Sequence, residues 1–291
     1  MGDLSRIGAG ASWGPAEQAA MDRCLSVPGL SERRHQAPIR LSRTIETEII
    51  PRLMLAHQGA SQDRAHPAPP EIAPADVTDF TLTVLERDLE VALAVVEGIR
   101  ARGHTTEAVF LHLLAPTARL LGDMWRDDLC TFTDVTIGLS RLQQVLRELS
   151  SGFENEARPD PRGRILLAAV PGEQHSFGVS MLESFFRRAG WDVCGGATSS
   201  QSELLGCARD EWLDAIGLSL SSDLLYGRIQ SLIPLLRSTS RNPSLLVMVG
   251  GRYFTDHPDH ATEVGADAAA TDAPDALRRA DACLGFTLAR C

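Results

Sequence analysis

Between residues 76 and 153 the apolar positions return every three to four residues, while beyond 162 they gather into short runs separated by helical stretches. The first pattern puts one stripe of each helix into a core; the second fills strands that are covered on both faces. In the first region Asp76 is placed to cap the opening helix. Over 88–102, Leu89, Ala92, Leu93, Val96 and Ile99 form one stripe that stops at Gly103, a residue that accepts the left-handed turn ending a helix. A third helix is expected over about 105–121, with Pro116 disturbing its later half, because proline removes a backbone donor and crowds the preceding turn. The last, over about 133–149, turns Ile137, Leu142, Val145, Leu146 and Leu149 inward. Four helices with short turns make a bundle over 76–155.

The second region reads differently. Apolar runs at 164–170, 191–194, 215–220 and 244–249 alternate with helical stretches. That alternation describes a doubly wound α/β domain with a parallel sheet, here over 162–291. The charged stretch ENEARPDPRG links the two regions. Ahead of both, residues 1–75 have no sustained period and read as a flexible leader. A short amphipathic helix near 44–57 interrupts it, carried by Ile45, Ile49, Ile50, Leu53 and Leu55 and kinked at Pro51; Pro67, Pro69, Pro70 and Pro74 then favour extended chain.

Composition narrows the function. The 291 residues hold 28 Lys and Arg against 38 Asp and Glu, a formal charge of −10. Strong DNA binding by this chain alone is not expected from that balance, although Arg33, Arg34, Arg40 and Arg43 form a local basic patch. The six cysteines include no CxxC pair, so reduced cytoplasmic thiols are expected. No signal peptide pattern opens the chain, and no apolar run approaches the roughly 18 residues of a membrane span. A cytoplasmic protein without a membrane role is the expectation.

In a doubly wound sheet ligands sit outside the carboxyl ends of the strands, so the loops there carry the candidate chemistry. The first strand runs into PGEQHSFG, which places His175 in the loop with Glu173 two residues before it and Gly178 three after. The third ends in GLSLSSD, with Ser219 and Ser221 alternating onto one face, and the fourth in VMVGGRYF, where Gly250 and Gly251 leave no side chain to block a close approach. One imidazole, two small hydroxyls and two absent side chains describe a narrow slot with a metal ligand at its mouth. Other polar groups read as structural. Asp127 and Asp128 form a solvated turn, His257 and His260 a solvated loop, and Ser176 lacks a nucleophile elbow, so no catalytic residue is assigned and no enzyme is expected.

The blocks Glu173-Gln174-His175-Ser176-Phe177-Gly178, Ser219-Leu220-Ser221 and Gly250-Gly251 resemble, in order and spacing, the DxHxxG, SxL and GG signature of cobalamin-binding Rossmann domains. The resemblance implies that His175 is the lower axial ligand of cobalt, replacing the cofactor's own base, and that the displaced nucleotide tail enters the slot. It further implies that Ser219 meets the base of that tail, that Gly250 and Gly251 make room for it, and that Glu173 orients the histidine. Gln174, Ser176, Gly178, Ser221 and Tyr253 complete the implied cofactor contacts. The family's usual residue at position 173 is Asp, one methylene shorter, and at 221 it is Leu. The helical bundle matches the cap such proteins carry, with Trp125 over the upper face of the corrin; Val135 and Thr136 stand where light-sensing relatives have a Glu-His pair. TIETEIIPRLMLAH, LLGDMWRDDLCTFTDVTIGLSRLQQVLREL, FFRRAGWDV and VMVGGRYF are similar to the AerR/PpaA antirepressors of purple photosynthetic bacteria. That likeness implies a light-responsive cobalamin protein that engages a CrtJ/PpsR-type repressor and so derepresses photosystem genes. Two other uses of this body are a corrinoid carrier subunit of a methyltransferase and a heme-binding redox sensor.

Overall fold

A computed structural model describes residues 71–155, 162–196 and 200–285. Residues 1–70 of the leader, with the helix expected near 44–57, lie outside these residues, and its last two residues open α1. Five helical pieces come first: α1 (Pro74–Glu86), α2 (Leu89–Ala101), α3 (Thr106–Val109), α4 (Ala115–Arg126) and α5 (Phe132–Glu154). A single π turn, Phe110–Leu114, joins α3 to α4. The expected third helix is therefore one rod with one widened turn, placed just ahead of Pro116. Such a turn accommodates a proline, which has no N–H to offer the preceding turn.

Two local expectations are corrected. Asp76 does not occupy the N-cap of α1; the helix starts two residues earlier, at Pro74, and the Asp76 carboxylate accepts the Ala73 N–H from inside the first turn at 3.0 Å. Proline is favoured at that first position because its missing donor is not needed there. Ile137 does not face inward but is 42% exposed, since Val135, Gly138, Leu142, Val145, Leu146, Leu149 and Phe153 occupy the buried stripe. At 100° per residue, 137 falls well off the line through 135, 138 and 142.

A five-stranded parallel sheet follows, in the order β2-β1-β3-β4-β5, from β1 (Arg164–Ala169), β2 (Asp192–Gly196), β3 (Ala215–Ser219), β4 (Leu246–Gly250) and β5 (Ala268–Ala270). The short β5, Ala-Ala-Ala, has no apolar run to announce it. Between the strands lie α6 (Phe177–Arg188), α7 (Gln201–Asp210), α8 (Tyr226–Thr239), α9 (Arg252–Asp256) and α10 (His260–Glu263), with α11 (Ala273–Leu284) closing the fold. Chain order and sheet order diverge between β1 and β3, the place where a crevice opens at the carboxyl edge.

The two sheet faces bury different sets. Leu166, Ala168, Leu218, Leu220, Val247 and Val249 join α7 and α8 through Leu204, Ala208, Ile229, Leu232 and Ile233. Ile165, Leu167, Ala169, Ala215, Leu246 and Met248 join α6 and α11 through Val179, Phe186, Ala276 and Ala280. The period-2 alternation of strand side chains produces this division.

The bundle and the sheet domain share a core despite the linker between them. Phe177, Met181 and Phe185 of α6 are buried in the same cluster as Phe80, Val96, Phe110, Leu142 and Phe153. The Phe153 ring lies 5.0 Å from Phe110 and 5.1 Å from Phe185, and the Arg188 guanidinium sits 4.3 Å over it. Arg188 also pairs with Glu107 at 2.8 Å. The helix that leaves the candidate site thus has its other face locked into the bundle.

Candidate functional site

The loop from β1 to α6 is organised by one carboxylate. Val170 leaves the sheet with its N–H on the Ser219 carbonyl at 2.9 Å, and Glu173 closes a tight turn by donating its N–H to the Val170 carbonyl at 2.8 Å. Gly172, at φ +92°, takes the left-handed corner of that turn. The Glu173 side chain is then driven inward, 2% exposed. Its Oε1 accepts the N–H groups of Gln174 (2.9 Å) and His175 (3.1 Å), and its Oε2 those of Ser221 (2.8 Å) and Ser222 (3.0 Å).

A fifth donor is the histidine ring, with His175 Nδ1 2.6 Å from Glu173 Oε1. An ionised carboxylate has only lone pairs, so Nδ1 carries the hydrogen, and in the neutral imidazole the lone pair is on Nε2. The ring itself is 70% exposed. Burial works to raise the Glu173 pKa, but the bonds from His175, Ser221 and Ser222 outweigh it and bring it down to about 2. The same bond raises the affinity of His175 for a proton, against burial and the nearby charge of Arg252. A basic imidazole in a fixed tautomer, aimed outward, is a prepared metal ligand. The extra methylene of Glu173 over Asp causes no loss of contact, because the carboxylate still reaches Nδ1 and both backbone pairs.

Beside this loop the sheet presents a row of small residues. Register pairs Ala169 with Ser219, Ser219 with Gly250, and Gly250 with Ala270, so four small residues form one row across β1, β3, β4 and β5 at their carboxyl ends. They share the face covered by α6 and α11, where the covering residues include Ala273 and Ala276. The next row down is larger, with Leu167 and Met248 on either side of Gly217. Among the described residues the Ser219 hydroxyl makes no hydrogen bond. At Gly178, in the first turn of α6, an added Cβ would meet nothing within 4 Å.

Several residues expected here sit elsewhere or act otherwise. Tyr253 does not join the row: it is 7% exposed in the core of the opposite face, with its hydroxyl 2.8 Å from His260 Nδ1. His257 and His260 are not simply solvated, since their rings stack at 5.1 Å and pack beside Tyr226 and Tyr253. Ser221 contributes its backbone N–H to Glu173, and Ser176 begins α6 with its carbonyl accepting the Ser180 N–H at 3.1 Å. Trp125 lies at the end of α4, 50% exposed and edge-on to Phe132 at 6.2 Å. Its helix reaches the sheet edge through Asp123, which is 3.6 Å from Arg252 beside the Gly250-Gly251 turn. Asp127 and Asp128 are the expected exposed turn, with Asp128 at φ +56°. Sequence reading missed Gly217 and Ala270; only strand register reveals them, because glycine and alanine carry no chemical signal of their own.

The glycines of the fourth strand have a local cause as well. Gly251 adopts φ +93°, and a Cβ there would stand 2.4 Å from the Leu220 carbonyl oxygen. Gly251→Ala is expected to cost about 2–4 kcal/mol in a denaturant titration, because backbone on both sides must move. Gly178→Ala is expected to leave that stability within about 1 kcal/mol, since alanine suits a helix and the space is open. Any loss of ligand uptake by the second variant then reports on the space itself.

Residues 163–280 match the family model described as the B12 binding domain. The matched stretch is the sheet with its helices, from β1 to α11. Over 178 residues it is 28% identical to an uncharacterized 20.5 kDa protein in the bchF-crtJ intergenic region of Rhodobacter capsulatus, covering 60% of this chain and 90% of that one. It is 26% identical over 169 residues to a corrinoid protein of Desulfitobacterium hafniense, covering 57% and 77% respectively. The monomethylamine corrinoid protein of Methanosarcina barkeri has the same fold, with a TM-score of 0.60, 15% identity, and coverage of 73% of this chain and 99% of that chain. Among the described residues no three His, Cys, Asp or Glu side chains converge to hold a metal ion. No described helix is long and apolar enough to cross a membrane.

Proposed function

We propose that the protein binds a corrinoid with His175 on cobalt and the nucleotide tail along the Ala169-Ser219-Gly250-Ala270 row, and uses it as a signal rather than a reagent. The observation that carries this is the Glu173–His175 pair, which places the lone pair of the neutral imidazole on Nε2, beside a row of small side chains. When bound, the corrinoid would supply a cobalt whose exchangeable ligand responds to light or redox state. Protein residues would hold and orient it: Glu173 fixes the imidazole tautomer, Ser219 would offer a hydroxyl to the tail, and Trp125 at the end of α4 would pack against the cofactor.

The regulatory part of the reading rests on the AerR/PpaA-like phrases and on the relative named for the bchF-crtJ intergenic region. The proposed partner is a CrtJ/PpsR-type repressor, released from photosystem promoters when it binds the loaded protein. A ligand changes such an equilibrium only through different affinity for two states, so the loaded and unloaded forms must bind the repressor unequally. The test measures repressor occupancy of its operator DNA with protein loaded with hydroxo-, methyl- or adenosylcobalamin, dark and illuminated. At least one loaded form is expected to lower occupancy by about tenfold, corresponding to roughly 1.4 kcal/mol of coupling. No change with any form removes the antirepressor reading. The corrinoid protein from Desulfitobacterium favours a second reading, a methyl carrier, which turnover with a methyl-donor system would support. A Soret band on reconstitution with heme, in place of corrin uptake, would move the cofactor to heme.

A further inference from the structure

The seam between the bundle and the sheet edge is crossed beside His175 by one charge pair. Arg252 follows the Gly250-Gly251 turn and opens α9. Its guanidinium lies 3.6 Å from Asp123 of α4 and 3.7 Å from Asp256 on its own helix. Asp123 is two residues from Trp125 and also pairs with Arg126 along α4. Arg252 follows β4 and His175 follows β1, so both stand at the carboxyl edge of the sheet. The pair therefore bridges the gap that separates the histidine edge from the end of the bundle, and neither of its contacts is short enough to be a full hydrogen bond.

We infer that Asp123 and Arg252 form an electrostatic lock that holds the bundle end against the sheet edge and must open when a planar macrocycle seats on His175. The inference rests on the corrinoid reading of the site and adds how entry is controlled. The side chains are 47% and 56% exposed, so the lock is weak by construction: an exposed pair shifts an equilibrium by up to about fivefold and is screened by salt. Asp256 keeps Arg252 at the seam after opening, ready to close again.

The test follows uptake of hydroxocobalamin by stopped-flow absorbance in the full-length protein, Asp123→Asn, Arg252→Gln and the double variant. Each single change is expected to speed uptake about two- to fivefold, with the double variant no faster than either single one. Raising salt from about 0.01 to about 1 M shortens the screening length from roughly 30 to 3 Å and is expected to speed the wild type but not the variants. Unchanged rates, rate effects that multiply in the double variant, or slower uptake by Arg252→Gln would overturn the lock. Absence of uptake by the wild type would instead overturn the corrinoid reading beneath it. Matching melting curves for all four proteins separate an effect on entry from an effect on folding.

Discussion

Replacing His175 with alanine is expected to remove the protein nitrogen from cobalt and to weaken corrinoid retention by more than about a hundredfold. Loss of an outer partner of a metal ligand alone costs about 10–100-fold, and loss of the ligand itself exceeds that. The readout that identifies the ligand is the electron paramagnetic resonance of the cobalt(II) form. A single axial nitrogen splits each cobalt line into a triplet, and nitrogen-15 labelling of the protein converts the triplets to doublets only if the nitrogen belongs to the chain. Doublets in labelled wild type, and their loss in His175→Ala, establish histidine ligation. Triplets that persist in labelled wild type show that the cofactor kept its own base, and the assignment of His175 fails. Because His175 is 70% exposed and, among the described residues, its ring bonds only to Glu173, the alanine variant is expected to fold normally.

Glu173 carries the second large effect, on stability as well as on binding. Five donors converge on its two buried oxygens, four of them backbone N–H groups. Glu173→Ala leaves them unpaired beside a buried hole and is expected to destabilise the protein by about 2–4 kcal/mol. Glu173→Gln is expected to do nearly as badly, since either placement of the amide turns an NH2 toward donors. Glu173→Asp keeps the charge and is expected to retain most of the stability. The sign of the pH dependence follows from the lowered pKa. A carboxylate whose folded pKa falls from 4.5 to about 2 adds stability that is complete above the unfolded value and disappears as pH drops through the folded one. The gap corresponds to about 3 kcal/mol, so the wild-type advantage over Glu173→Gln is expected to be full at pH 7 and nearly absent near pH 2. Chemical denaturation across that range checks it. An advantage independent of pH would mean that packing, not charge, holds the loop.

The two predictions separate roles that the sequence placed side by side. Glu173 and His175 stand two apart in one loop, and the motif alone names both as cofactor residues. Burial divides them, one at 2% exposure building the loop and the other at 70% facing outward. Trp125 is a different case: the sequence placed it over the corrin by likeness, and the structure brings its helix to the same edge through Asp123 and Arg252. Tyr253 was the misplaced residue. It follows the glycine pair in sequence, but α9 begins there and turns the ring onto the opposite face of the sheet, a change of direction that no linear spacing records.

Much was legible from local pattern. Helical periodicity gave the bundle, alternating runs gave the parallel sheet, and the motif residues clustered at strand ends because loops there are where a doubly wound sheet exposes chemistry. Local pattern decides these features because each depends on residues a few positions apart, within reach of one turn or one strand. The row of small residues was not legible in the same way. Made of Ala169, Ser219, Gly250 and Ala270, it spans a hundred residues of chain and exists only through strand register, and β5 is too short and too uniform to be seen before it pairs. Nor could any period show that Phe177, Met181 and Phe185 would be buried in the bundle's core, making one packed unit of two regions that composition separates. From the sequence alone came the fold class, the metal-ligand candidate and the likeness to cobalamin-binding domains. Only tertiary packing decided which small residues share a face, which acid is buried under the histidine and where the bundle meets the sheet, because those depend on contacts between segments whose separation along the chain carries no information about their separation in space.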